Sequence, residues 1–100
     1  MVILRQKMRA KPDKCEDVTA ALAAIIPVAR ATEGVLKLDI ARDLLDAYTF
    51  VATGIYEDSA ALERQESAPE VHTAMAMFQE SLEAPPERTI YDASVDPTLV

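Results

Sequence analysis

AYTFVATGIYEDSAALERQ, residues 47–65, carries two different hydrophobic periods on either side of one acidic residue. Tyr48, Phe50, Ala52, Gly54 and Tyr56 alternate with Thr49, Val51, Thr53 and Ile55, the period of two that puts alternate side chains on opposite faces of a strand. Asp58 follows, and its carboxylate suits the cap of a helix beginning Ser59, Ala60, Ala61, Leu62. A strand running directly into a helix is predicted. Gly54 is out of character there, because glycine inside a strand packs nothing and usually marks a bulge or the close approach of another group. It shares a face with Phe50, Ala52 and Tyr56, so the pattern predicts a hollow between two aromatic rings. A hollow floored by a sheet and roofed by helices suits a small ligand, or else one large helix side chain.

Upstream, Val2, Leu4, Gln6, Met8 and Ala10 alternate with Ile3, Arg5, Lys7 and Arg9, a strand with one oily and one largely basic face. Lys11-Pro12-Asp13 ends it, and Asp13 followed by Glu16 resembles a capping box at a helix start. Cys15, Val18, Leu22, Ile25 and Ala29 recur at helical spacing as a buried stripe, with Ile26 beside it. Pro27 falls on the opposite, solvent side, where it removes one helical hydrogen bond and should kink the last turn. Gly34 is placed to close this helix at its C′ position.

Val35–Arg42 forms a second strand with Leu36, Leu38 and Ile40 on its oily face, and Asp43–Asp46 turns it into the strand at 47–56. After the helix Ser59–Glu66, Ser67-Ala68-Pro69 breaks the chain. A further helix then buries Val71, Ala74, Met75, Phe78 and Leu82 until Pro85 and Pro86 stop it. Arg88–Val95 is the last strand. Residues 1–95 thus make one domain, and 96–100 a tail. The order β-α-β-β-α-α-β fits one antiparallel sheet, 4-1-3-2, with its helices on one face: an α+β, ferredoxin-like split βαβ plan. The other face is left bare, with Val35, Val51 and Ile55 on it, and a homodimer is the expected cover.

One hundred residues, half of them hydrophobic, suffice for one core. The net charge of −7 argues against a nucleic-acid partner, whose phosphates need a basic surface. No signal peptide or membrane-spanning run is evident, so a cytoplasmic location without membrane association is expected. The single Cys15 has no cysteine or histidine beside it and reads as a small buried residue on a helix. With only two glycines and no ligand cluster, a tightly held metal, haem or flavin is not expected, and no cofactor is assigned.

Lys11-Pro12-Asp13, Ala29-Arg30-Ala31-Thr32-Glu33-Gly34, Glu57-Asp58 with Ala61-Leu62, and Ser67-Ala68-Pro69 recur in an order and spacing that together resemble the antibiotic biosynthesis monooxygenase superfamily, over about residues 2 to 94. The resemblance implies a dimeric α+β barrel, two sheets packed face to face, and a pocket in each subunit between sheet and helices. It also implies oxygenation of aromatic polyketides or quinols without flavin or metal. The chain departs from that pattern where chemistry would sit. The family commonly has Glu and Trp on the third strand and His on the short helix; here those positions are Gly54, Tyr56 and Gln65. Glycine and glutamine do not titrate near neutral pH. The haem-degrading branch would need Asn, Trp and His at the positions of Gln6, Gln65 and Met75, so haem degradation is not expected.

Gln6, Tyr48, Phe50, Gly54, Tyr56 and Gln65 are therefore the expected substrate-binding residues. Gln6 is an amide on the oily face of a central strand, which must find a partner. Met8, Met75 and Met77 would give a pliable wall. The catalytic candidates are Tyr56 and His72, the one histidine and hence the one side chain ordinarily titrating near pH 7. Two functions fit: a cofactor-independent oxygenase for a small aromatic or quinol-type molecule, or a non-catalytic dimeric barrel that binds an apolar small molecule or serves in assembly. On the first view Gly54→Glu should fill the hollow and leave the fold standing.

Overall fold

The computed structural model describes residues 1–93, folded as β1 (Val2–Arg9), α1 (Cys15–Ala31), β2 (Val35–Arg42), β3 (Thr49–Tyr56), α2 (Ser59–Glu66), α3 (Pro69–Ser81) and β4 (Glu87–Asp92). All strand pairs are antiparallel and the sheet order is β2-β3-β1-β4. This is the expected α+β order, seen from its other edge. Residues 94 and 95 of the expected last strand, and the tail 96–100, lie outside the described residues. Among the described residues, no helix is long and apolar enough to cross a membrane.

The helices cover one face, and the alternation of β1 and β3 supplies that face. Val18, Leu22, Ile25 and Ala29 of α1 meet Met8, Leu38, Phe50 and Ala52 of the sheet and Val71, Ala74 and Phe78 of α3 in one cluster. A smaller cluster joins Val2, Leu4 and Tyr56 to Ala61 and Leu62 of α2. Each large aliphatic side chain buried in this way contributes about 1.5–3 kcal/mol. β4 differs: it pairs with β1, yet every one of its residues is exposed.

Several local expectations are corrected. Asp13 makes no cap; a 3-10 turn over Pro12–Lys14 leads into α1, with proline's fixed φ starting it. Pro27 is exposed, as expected, and α1 continues past it to Ala31. Gly34 sits two residues beyond the cap Thr32, at φ 85, where a Cβ would press on the Ala61 Cβ at 2.7 Å. It serves both the left-handed turn and the close seat of α2. In β2 a bulge falls between Val35 and Lys37: Val35 pairs with Tyr56 and turns inward, while Leu36 is half exposed. One extra residue exchanges the faces of the strand's first turn.

α3 ends at Ser81, not at the prolines, because the next residues are claimed by β1: Leu82 bridges to Ala10, and the Glu83 amide donates to the Arg9 carbonyl at 2.9 Å. Cys15 is half-buried, not enclosed, with its thiol 3.9 Å from the Ala47 carbonyl. On the outer side of that end, Arg9 pairs with both Asp46 and Glu83. The Arg9 guanidinium at 2.7 Å, then the Tyr48 amide and the Thr49 hydroxyl, hold the Asp46 carboxyl down at about 2.

Candidate functional site

The Asp58 carboxylate accepts from the Ala61 amide at 2.9 Å, so β3 passes into α2 as the sequence predicts. That cap fixes where α2 begins, and the helix carries Gln65 and Glu66 in its last turn. β1 supplies Gln6, whose register partners are Ala52 on β3 and Arg88 on β4. Because paired residues share a face, Arg88 turns to the same side as Gln6.

Above these residues α3 stands away from β4. A cavity of about 560 Å³ opens there, walled by Met75, Phe78, Leu82, Pro85 and Pro86, with Gln6 and Arg88 as its strand-borne polar groups. A second, inner cavity of about 60 Å³ continues between sheet and helices, and shares Gln6, Met75, Phe78 and Arg88 with the first. Met8, Leu4, Ile25, Ala52 and Gln65 bound its inner part.

A polar chain crosses the junction of the two chambers. Arg88 forks onto both carboxylate oxygens of Glu66, one at 3.1 Å, and its Nη1 also donates to Gln6 Oε1 at 3.4 Å. The Gln6 amide nitrogen approaches the Met8 sulfur at 3.5 Å. Arg88 and Glu66 are about 32% and 24% exposed, so the pair is screened by solvent only in part.

Deeper in, Tyr56 is fully buried and its hydroxyl has no hydrogen-bond partner of ordinary geometry among the described residues; the same is true of Gln65 Oε1. Burial pushes the Tyr56 phenol above its ordinary value, and the Gln65 side chain beside it opposes this in part. A phenol held in this way stays protonated at neutral pH. It can donate a hydrogen bond and does not act as a base.

The expected hollow at Gly54 is occupied by the chain itself. A Cβ at Gly54 would lie 2.3 Å from the Tyr56 hydroxyl and 2.6 Å from two of its ring carbons, so the ring folds back over the glycine. Gly54 is small to seat Tyr56. Phe50 is buried in the main cluster with the Arg42 guanidinium 4.9 Å from its ring centre, and Tyr48 is partly exposed with Arg9 at 5.8 Å. Neither lines the two chambers. His72 is exposed on α3 and does not line them either. Met75 lines both chambers, Met8 only the inner one, and Met77 packs on the core. Arg88 and Glu66 escaped the sequence reading. The expected 4-1 pairing puts some β4 residue inward beside Gln6 but does not say which one. Among the described residues no cluster of three or more His, Cys, Asp or Glu is placed to hold a metal ion.

The sequence profile of the family described as antibiotic biosynthesis monooxygenase matches residues 1–77. The chain belongs to this family. Three solved structures show the fold it shares. One is Rv0793 from Mycobacterium tuberculosis, 22% identical, with a TM-score of 0.88 over 96% of this chain and 97% of that one. A second, described as an antibiotic biosynthesis monooxygenase, is 18% identical, with a TM-score of 0.87 over 95% and 100%. The third is PA3566 from Pseudomonas aeruginosa, 22% identical, with a TM-score of 0.85 over 94% of each chain. None of the curated proteins matches the sequence. The monooxygenase-family match stops before Leu82–Pro86 and Arg88, so much of the outer chamber's wall lies beyond it.

Proposed function

We propose that this member of the antibiotic biosynthesis monooxygenase family oxygenates a small aromatic, quinol-type molecule held in the two connected chambers, without a cofactor. The observation that carries this reading is the outer chamber: about 560 Å³, mostly apolar, with Arg88 and Gln6 converging on one side of it. An electron-rich ring fits between the apolar walls, and its oxygen lies toward Arg88. The guanidinium favours the ionised, phenolate form of the substrate, which is the form that gives up electrons to dioxygen. In the overall reaction one oxygen atom enters a ring methylene as a carbonyl and the other leaves as water, all four electrons coming from the substrate. Glu66 is engaged by Arg88 and Tyr56 holds its proton, so ionisation relies on the acidity of the substrate itself. Oxygen uptake with 1,8-dihydroxyanthrone tests this; a rate no greater than in buffer alone refutes it.

The scarcity of a free proton acceptor favours a second reading, a dimeric barrel that binds such molecules without turning them over. Saturable binding of the same anthrone with no oxygen consumption would select it. Either reading includes a homodimer through the outer sheet face, where Ile3, Val51 and Ile55 are only half-covered and Tyr91 is half exposed. A monomer by light scattering at micromolar concentration would refute the dimer.

A further inference from the structure

β2 is an edge strand, on the opposite side of the sheet from β4. At its end Arg42 shares the inward face with its register partner Phe50. The Arg42 guanidinium lies 4.9 Å from the Phe50 ring centre and donates to the Thr19 hydroxyl of α1 at 3.0 Å. Thr19 gives its own hydroxyl proton to the Cys15 carbonyl at 2.8 Å, which leaves its oxygen to accept. The charge is thus held in one place against the sheet. Among the described residues it enters no ion pair, and Thr19 is the one acceptor for its N–H groups. Asp43, next in the chain, accepts from the amides of Leu45 and Asp46, and Glu16, one turn before Thr19, is exposed and does not pair with it. Beside the guanidinium a groove of about 240 Å³ runs between α1 and β2, walled by Leu22, Ile26 and Ile40, with the exposed Ala23 and Ala41 at its lips. Leu22 and Ile40 also line the inner cavity, so they stand between the two spaces.

We propose that this groove is a second binding site, which takes an aliphatic carboxylate with its head on the Arg42 guanidinium and its chain along Leu22, Ile26 and Ile40. The guanidinium has N–H groups to spare in the plane that a carboxylate matches. The one aromatic ring of the lining, Phe50, has its open face covered by Arg42. The walls left to a ligand are aliphatic and suit a chain better than a flat ring. The groove has the volume of roughly eight water molecules, and a methylene is about the size of one, so a chain of about eight carbons fits. The helix rises about 10 Å from Thr19 to Ile26, which such a chain spans when extended. A fixed cation at one end and apolar walls beyond it pair the head of this ligand and take its tail out of water. The site lies behind Leu22 and Ile40 from the chambers and does not depend on the oxygenase reading. It opens on the helix-bearing side of the sheet, so a homodimer through the outer face leaves it accessible.

The test is an NMR titration of the isotope-labelled full chain with octanoate, butanoate and octylammonium. Octanoate is expected to shift the amides of Ala23, Ile26, Ala41 and Arg42 saturably. It should bind roughly tenfold more tightly than octylammonium, although the net charge of −7 draws the cation to the protein. Butanoate, which leaves most of the groove empty, should bind at least about tenfold more weakly than octanoate. Arg42→Gln should bring octanoate and octylammonium within about twofold of each other, and a preference that survives this change overturns the proposal. Should Arg42→Gln not fold, Ala23→Phe fills the groove from its exposed lip and should abolish the octanoate shifts at Ala41 and Arg42; their survival overturns the site. Equal affinities for octanoate and octylammonium in the unsubstituted protein, as from a guanidinium captured by Glu16, overturn it too. Shifts confined to Met75, Leu82 and Ala84 of the outer chamber, or none at millimolar octanoate, overturn the groove and leave the chamber reading standing.

Discussion

Gly54→Ala is the smallest change that tests how this sheet is packed. The new Cβ would lie 2.3 Å from the Tyr56 hydroxyl and 2.6 Å from two ring carbons, against an ordinary separation of about 3.5–4.0 Å. The ring would have to retreat by about 1 Å or more, yet it is wholly buried against Val2, Leu4, Ala61 and Leu62. Overpacking of this kind costs about 1–3 kcal/mol, and three overlapping atoms place it at the upper end. Replacing glycine by alanine in a strand returns about 0.5–1 kcal/mol. The net expectation is a loss of about 2 kcal/mol, or roughly 10 °C in Tm for a domain of this size. In a Tyr56→Leu background the obstacle is gone, and Gly54→Ala should be neutral or slightly stabilising. Urea unfolding followed by circular dichroism on the four proteins of this cycle measures the coupling. Gly54→Ala within 0.5 kcal/mol of the parent, or an equal cost in both backgrounds, would refute the packing described. The same geometry reverses the expectation for Gly54→Glu, which should prevent folding and not merely fill a hollow.

Other substitutions follow from single contacts. The Asp46 carboxyl is lowered from 3.8 to about 2 in the folded state, so its contribution is complete above about pH 4 and is lost as pH falls toward 2; Asp46→Asn should flatten stability across that window in acid titrations. Arg88→Met should cost about 1 kcal/mol, since the pair with Glu66 is part exposed, and should slow anthrone oxygenation on the order of a hundredfold in an oxygen-electrode assay. Tyr56→Phe removes a buried hydroxyl that has no partner of ordinary geometry among the described residues, and should leave stability unchanged or raise it by up to about 1 kcal/mol in urea; a clear loss would mean the hydroxyl is bonded, with Gln65 beside it the candidate. His72→Ala should leave oxygen uptake and its pH profile unchanged, because this side chain is exposed and away from both chambers.

What the sequence made legible was set by local rules. The alternation of β3 and the Asp58 cap mark where strand becomes helix, and the hairpin joining β2 and β3 leaves few ways to place the remaining strands. Val35 and Leu36 show where such rules stop. Both are apolar, so the pattern serves either register, and only the pairing of Val35 with Tyr56 and of Lys37 with Ile55, with Leu36 skipped between them, puts the first inside and the second out. Gly54 and Tyr56 were correctly placed on one face, but a period of two does not say which way a ring leans along the strand. Arg88 was hidden for a different reason. β4 is exposed throughout, so its sequence carries no oily face from which inward residues could be picked.

The uncovered strand also explains why a cavity exists. α1 packs on α3 and on β2, which places α3 toward the middle of the sheet and leaves β4 without a helix above it. The chain must then return from α3 to β4. Its first step is pinned to the end of β1 by the bridge of Leu82 to Ala10 and by the amides of Lys11 and Glu83. Its last step is pinned to the end of α2 by Arg88 on Glu66. Between these ties run Pro85 and Pro86, which have no amide hydrogens to donate and cannot zip onto the sheet as a strand would. The segment is therefore held as an arch and the space beneath it cannot collapse. A wall built from two ties and two prolines can change its lining, at Gln79, Glu83 or Ala84, without disturbing either buried cluster. Phe78 and Leu82, by contrast, belong both to this wall and to the main buried cluster, so changes there alter stability as well.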